Sequence, residues 1–539
     1  MGAQVADTTR TADSVFVPYG QEGSAGTSEE EANLSQVFLG AFKTILDYHQ
    51  TTFSDSLLWE EALDGLIEGL DDPYAAVFTP SEYGEFQEDN TGNYAGIGVQ
   101  ISRLNDRVTI TAVFRQTPAE EAGMIVGDRI RAVDGVDARD WTLDQARDSI
   151  RGEVGTVVRV TVDRDGIREP LTFPIRRDEV HVSAVTATTL HDSLGYIQVD
   201  RIARGSATEV DSAFALLRDT KGIILDLRRN PGGYLVESLS MADLFLDRGM
   251  TLASARSRDP GKPGEMQEDS WQARLPARIP DKTLVVLVDR FTASAAEIVA
   301  GAIQDHDRAV VMGERTFGKG VVQTVLPLPG GRRIRLTTGS WFTPMGRSLH
   351  IARDGQGRPL VGENPDSIPY VTTPAGRKLR SDGGVYPDLT VDVDTLTSVE
   401  QTLLVEASNA GIPLIVRIEE FAFEQAQKAQ ETPGVTAPEA VAAFLDEGAL
   451  QDFLKALEDE GLSSETLRDP QAVAYLTWRT RMSIARRMDD QAHALAYQAE
   501  RDPVLAEAIT LLQTASSQTE LFAAVEARSQ GVGAEPQGR

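Results

Sequence analysis

No cysteine occurs anywhere in the 539 residues, which excludes disulfides and thiolate zinc sites and leaves the chain indifferent to the redox state of its compartment. Histidine is scarce. The six are His49, His181, His191, His306, His350 and His493, and none stands in a metal spacing such as His-Glu-x-x-His. No apolar run approaches the ~20 residues of a membrane span, and the amino terminus lacks the charged, apolar and small-residue succession of an export signal. Positive charge is in deficit. With 52 Lys and Arg against 82 Asp and Glu the formal charge is -30, which repels phosphate and argues against nucleic acid or an anionic membrane as partner. What is present, 41% apolar residues with scattered glycine and proline, is the composition of a large soluble protein of several domains.

With so little histidine, a nucleophile needs another base. Ser294, in Ala293-Ser294-Ala295-Ala296-Glu297, follows strand-like Leu284–Val288 and opens a helix, and Lys319 comes 25 residues later in Phe317-Gly318-Lys319-Gly320. Lysine abstracts a proton only when neutral, so a pKa of about 10.4 must fall by several units through burial. Lys319 is therefore expected dry and close to Ser294. At a strand-to-helix turn the free N–H groups and the positive dipole end of the helix face the serine. The N–H of Ala295 is then a candidate oxyanion donor, and Gly232 or Gly233, ending another strand, can bring a second donor close because no Cβ obstructs it. Glu297 lies on the same helical side as Ser294, either as an acid favoured by the dipole or as a group that positions water or the base. Gly313–Lys319 imitates a Gly-x-x-x-x-Gly-Lys phosphate loop, but Gly320 stands where Ser or Thr is needed and a β-branched run follows instead of a helix, so the match is a decoy. The plain alternative is a helix-starting serine beside a solvated loop lysine. A Ser-His-Asp arrangement fails on distance, since His306 lies about 18 Å along the same helix.

The whole block decides between these readings. Asp289-Arg290-Phe291-Thr292-Ala293-Ser294-Ala295-Ala296-Glu297-Ile298 and Val311-Met312-Gly313-Glu314-Arg315-Thr316-Phe317-Gly318-Lys319-Gly320, with Gln323, resemble the C-terminal processing peptidases, or tail-specific proteases, of serine peptidase family S41. Leu225-Asp226-Leu227-Arg228-Arg229-Asn230-Pro231-Gly232-Gly233, Thr343-Pro344-Met345-Gly346-Arg347-Ser348 and Gly383-Gly384-Val385-Tyr386-Pro387-Asp388 match further family segments in order. The resemblance implies a crotonase-like or ClpP-like core in which Ser294 attacks, Lys319 is the base, Gln323 orients it and Glu297 matches a family acid. An alternating strand is expected to put Lys319 and Gln323 on one face. Thr292 and Ala296 depart from relatives that often carry serine, leaving Ser294 as the one serine of the motif. The resemblance implies export to the bacterial cell envelope, with residence in the periplasm, so the chain is expected to be a trimmed mature form. It also implies cleavage of unfolded or tail-exposed proteins without metal or nucleotide.

Organisation follows from periodicity. Residues 1–30 read as a disordered leader and 31–92 as a helical domain, with faces at Leu34, Val37, Phe38 and Ile45 and at Leu63, Leu66, Ile67 and Leu70. Over 93–176 the period becomes two, and Gly96-Ile97-Gly98-Val99 with Gly127-Asp128 and Asp134-Gly135 resembles a PDZ domain. There successive amides can cradle a terminal carboxylate while a strand edge pairs with the peptide. Residues 177–395 alternate strand and helix as an α/β peptidase core. Residues 396–530 read as helical, with 531–539 as a disordered tail. The expected fold is thus multidomain α/β: a peptidase core with an inserted β-rich PDZ domain and helical N- and C-terminal regions, which suit homo-oligomerisation. Segments 255–280 and 351–375 read as long polar loops, substrate gate or inert excursion. An activating adaptor and PDZ gating are open, and a catalytically silent PDZ peptide-binding scaffold is the alternative function.

Overall fold

The computed structural model describes residues 29–532 apart from 192, 260–261, 263, 361–367, 393–394 and 447. The expected leader and tail lie outside the described residues, except that Glu29 opens the first helix and the last runs to Val532. Helices α1 (Glu29–Tyr48) and α2 (Asp55–Glu68) pack through the stacked rings of Phe42 and Trp59, 4.2 Å apart. Ser54 caps α2 by accepting from Leu57 N, satisfying one of the orphan donors of a helix start. This pair is thinly covered: α2 buries no side chain, and Leu34 and Val37 of α1 are 64% and 68% exposed. Helix α2 ends at Glu68 with Gly69 as its cap, Asp71 takes a positive φ of 51°, and Asp72-Pro73-Tyr74 leads into β1 (Ala76–Phe78) and then α3 (Pro80–Thr91).

The period-two segment forms an antiparallel sheet in the order β2 (Val99–Leu104), β3 (Arg107–Val113), β4 (Arg129–Val133), β5 (Val157–Asp163), β6 (Leu171–Arg176). Alternation does the sorting: Val158, Val160 and Val162 are fully buried while the residues between them point outward, as one covered face requires. Helix α4 (Leu143–Ile150) inserts Ala146 and Ile150 into that core. At the β2–β3 hairpin Asn105 and Asp106 both take positive φ, 47° and 58°, the backbone of a tight two-residue turn that Asn and Asp tolerate.

The core begins with β7 (Val185–Leu190) and β8 (Leu194–Val199), then α5 (Ser206–Leu216), β9 (Gly222–Asp226), α6 (Leu235–Asp243), β10 (Thr251–Arg258) and β11 (Met266–Gln272). It continues through β12 (Thr283–Val288), α7 (Ala295–Asp305), β13 (Val310–Gly313), β14 (Val321–Pro327), β15 (Arg333–Phe342) and β16 (Leu389–Thr390). The main sheet runs β7-β8-β9-β12-β13-β16, parallel from β8 onward. Every residue of β12, Thr-Leu-Val-Val-Leu-Val, is buried, because both faces of a parallel sheet are covered. Helices α5 to α7 cover one face. The other is covered from the C-terminal region, which from Ser398 is helical and includes α8 (Leu414–Gln430), α9 (Pro503–Thr514) and α10 (Gln518–Val532). Leu505, Leu511, Leu512 and Leu521 pack there on Ile224, Val285, Leu287 and Met312.

Two expected loops turn out otherwise. Most of 255–280 is the hairpin β10–β11, joined to β15 and through it to β1. Only Leu252, Ala253 and Ala255 of β10 are buried and β11 has no buried residue, so the hairpin carries almost no hydrophobic signature. Within 351–375, Tyr370–Thr372 pairs with Lys378–Arg380.

Candidate active site

Three loops meet where β9, β12 and β13 end, the carboxyl edge at which α/β sheets place their ligands. Ser294 stands between β12 and α7 with φ 55° and ψ -119°, a conformation that costs a non-glycine residue on the order of 1–3 kcal/mol and survives only where its surroundings enforce it. The enforcement is visible. Ala293 N donates to Asn230 O (2.9 Å), tying the serine loop to the β9 loop, and Phe317 N donates to Thr292 O (3.0 Å), tying it to the loop after β13. Thr292, fully buried, donates its hydroxyl to Leu227 O (2.8 Å).

Glu297 is the hub. Its carboxylate, fully buried one turn into α7, accepts from Ser294 N (2.8 Å) and Lys319 N (2.8 Å) through Oε2, and from Thr316 Oγ1 (2.5 Å) and Gly318 N (2.8 Å) through Oε1. Burial pushes its carboxyl pKa up, and the four donors pull against that shift. Side-chain acceptor capacity is thereby spent on the backbones of both Ser294 and Lys319. The lysine amine is not among its four donors and turns to Gln323 instead.

Lys319 is largely buried, and its pKa falls to about 8, first through burial and then through the Arg335 guanidinium, with Asp72 and Glu297 opposing. Its Nζ donates to Gln323 Oε1 (2.7 Å) and lies 4.8 Å from the centroid of the Tyr74 ring. No hydrogen bond joins it to Ser294 among the described residues. The route to Gln323 also differs from simple strand alternation: Lys319 precedes β14, and a register shift falls between Val322 and Gln323. A loop and a bulge, rather than a shared strand face, bring the two together.

The glycines divide their tasks. A Cβ on Gly232, whose φ is 98°, would lie 2.8 Å from Ala295 N and 2.7 Å from Ala293 O, so only glycine permits this approach. Its N–H, however, donates to Asn230 Oδ1 (2.9 Å), which removes it as a donor to a ligand. The N–H groups of Gly233 and Ala295 have no acceptor within the described protein. A cavity of about 460 Å³, lined by Tyr94, Arg151, Arg201 and Ile202 among others, reaches this loop at Pro231 and Gly232, while Gly233, Ser294, Ala295 and Lys319 are not among its lining residues. His306 caps the far end of α7 and contacts Thr251 O (2.7 Å), away from the serine. Gly96 to Val99 lie apart from Ser294. Gly96 ends the strand Asn93–Gly96, Ile97 O accepts from Ala119 N (2.8 Å), Gly98 takes φ 87° against Thr117, and Val99 opens β2, whose outer edge pairs with no strand among the described residues. The residues that sequence reasoning missed are Asn230, Thr316 and Tyr74. The first two stood inside quoted motifs with no role given. Tyr74 belongs to a different segment, and nothing in its local pattern links it to Lys319.

A parallel α/β core with a strained serine at a strand-to-helix turn, a buried amine and unclaimed N–H donors is the architecture of a serine hydrolase, here carrying a second, PDZ-like sheet. The sequence matches peptidase family S41 over residues 193–355 and a PDZ domain over residues 109–164. It is 33% identical over 353 residues to the carboxy-terminal-processing protease of Bartonella bacilliformis, covering 64% of this chain and 77% of that protein. With a probable CtpA-like serine protease of Staphylococcus epidermidis it shares 34% identity over 325 residues, 60% of this chain and 64% of the relative, so it spans somewhat under two thirds of that relative's length. Among solved structures, the photosystem II D1 C-terminal processing protease is 26% identical and aligns over 67% of this chain and 88% of its own, with a TM-score of 0.35. The chain belongs to the S41 family of serine-type peptidases, in its carboxy-terminal-processing, PDZ-bearing branch.

Proposed function

We propose that the chain is a serine endopeptidase that engages exposed C-terminal tails through Gly96-Ile97-Gly98-Val99 and the open edge of β2, and hydrolyses peptide bonds near them. Neutral Lys319 takes the proton of Ser294 as the hydroxyl oxygen attacks the scissile carbonyl, then returns it to the leaving amine, and water releases the acyl group. Ala295 N and Gly233 N hold the oxyanion, Gln323 orients the lysine and Glu297 holds both partners' backbones in register. The observation that carries this reading is an amine drawn down to about pH 8 by burial, on a loop fastened through one carboxylate to the nucleophile's own N–H. Incubating an unstructured protein with the wild type, Ser294→Ala and Lys319→Ala tests it: only the wild type should cut, and cleavage by both variants sinks the assignment.

One observation favours a second reading. Lys319 is engaged with Gln323 rather than Ser294, as suits a silent PDZ scaffold or an enzyme awaiting activation by substrate or an adaptor. Undiminished tail affinity with no turnover under any condition would decide for the scaffold. The uncovered apolar side chains of α1 and α2 support self-association with a second copy; sedimentation of a Val37→Asp variant as a lighter species than the wild type is the expected result. Residence in the bacterial cell envelope rests on the family resemblance, and fractionation of cells checks it.

A further inference from the structure

The segment Asp72-Pro73-Tyr74 crosses to the core from between α2 and β1 and ends against Lys319. Asp72 Oδ1 accepts from Tyr74 N (3.0 Å) and Asp72 O from Ala75 N (3.2 Å), so the turn is locked before the chain pairs with β15 at Ala76 and Arg335. Two features of Tyr74 then face the site. Its main-chain oxygen accepts from Gln323 Nε2 (2.7 Å) and from Arg335 Nε (3.0 Å). An amide has one donor end and one acceptor end. With Nε2 committed to Tyr74 O, Gln323 must turn Oε1 to the amine of Lys319, and it does so at 2.7 Å. The aromatic ring lies 4.8 Å from Nζ on another side, and its hydroxyl is buried without a clear partner near Arg353.

We propose that Tyr74 is a positioning residue of the Ser294–Lys319 pair, its carbonyl setting the Gln323 amide and its ring walling the Lys319 amine off from water. This rests on the Ser-Lys reading above and assigns a role to a residue outside every motif that identified the site. Two effects of the ring oppose each other. The face of an aromatic ring attracts a cation and favours the protonated amine, whereas exclusion of water disfavours it. The second prevails, since burial leads the causes of the depressed value. The other charged groups about the amine are Arg335 of β15, Asp72 of the turn and Glu297 of α7; His350, 6.5 Å from the Tyr74 ring, and Arg353 flank the tyrosine. Of these, Asp72 and Tyr74 come from the N-terminal segment, so the protonation state of the amine depends on that segment being docked.

The test titrates Lys319 directly, in a Ser294→Ala background, by competitive acetylation of amines followed by peptide mass spectrometry across pH. The midpoint should lie near 8 with Tyr74 or Tyr74→Phe, which keeps ring and carbonyl, and rise by about one unit or more in Tyr74→Ala as water reaches the amine. In the active enzyme the acid limb of kcat/KM should move by the same amount. A Tyr74→Ala midpoint equal to that of the wild type overturns the proposal, as does Tyr74→Phe behaving like Tyr74→Ala. If Tyr74→Ala does not fold, Tyr74→Leu gives the same reading with a smaller shift. The labelling midpoint does not depend on turnover, so it separates this proposal from failure of the Ser-Lys assignment, which the cleavage assay with Lys319→Ala exposes.

Discussion

An amine that is protonated in the unfolded chain but titrates near 8 once folded weakens the fold at neutral pH. Between about 8 and 10.5 the unfolded state binds more protons, so stability rises with pH across that window, and below 8 the deficit is complete. Lys319→Met, which keeps the stem and removes the charge, should therefore stabilise the protein at pH 7 by on the order of 1–3 kcal/mol while abolishing cleavage. Denaturant melts at pH 7 and 9 check this, the gap between variant and wild type narrowing at the higher pH. Glu297 behaves oppositely. Its two oxygens face four donors, so Glu297→Gln must aim an NH₂ at two of them; a loss of about 2–4 kcal/mol in a thermal melt and at least tenfold in kcat are expected. Ser294, Lys319 and Glu297 could be singled out as candidates because they sit inside short contiguous motifs, but the engagement of the lysine by Gln323 and of both backbones by Glu297 could not. Gln323 was legible as a residue but not in its geometry, since a bulge cannot be read from a β-branched run. The engagement of the Gly232 N–H by Asn230 could not be read at all, because it depends on how one side chain folds back over its own loop.

Among the elements, α7 is anchored at both ends. Glu297 fastens its start, and at its end Asp305, fully buried, pairs with the equally buried Arg347 at 2.6 Å and accepts from Met345 N at 2.8 Å. The Thr343–Ser348 motif, matched in the sequence without a function, is thus the rear mount of the helix that Ser294 opens. An acid at a helix C-terminus is opposed by the dipole, and here the guanidinium offsets it. Arg347→Met leaves Asp305 buried and unpaired, so a loss of about 3–5 kcal/mol is expected in chemical denaturation. Restoring the balance with a second change, Asp305→Asn, should recover part of it. The strand β12 was readable from its apolar run and α7 from the serine that opens it, whereas the β10–β11 hairpin was not, because a largely solvent-facing strand carries no hydrophobic period for pattern reasoning to find.

Across the whole molecule, the C-terminal helices do more than cover the sheet. Asn105 N, at the tip of the β2–β3 hairpin, donates to Glu420 Oε1 of α8 (2.7 Å), and Arg417 holds the other oxygen (2.8 Å), so one helical region grips both the PDZ sheet and the peptidase core. Glu420→Ala should free that hairpin, seen as hydrogen exchange at the Asn105 amide faster by about tenfold with the core amides unchanged. The alternation of strands and helices made the multidomain α/β fold class readable, but this contact joins residues more than 300 positions apart and leaves no trace in either local pattern. The late position of α9 and α10 in the chain has a further consequence for biosynthesis. The central sheet cannot be sealed until residues beyond 500 have left the ribosome, so a chain cut short by premature termination emerges with one side of that sheet bare. It would meet chaperones and quality-control machinery as an aggregation-prone client before it could cut anything itself.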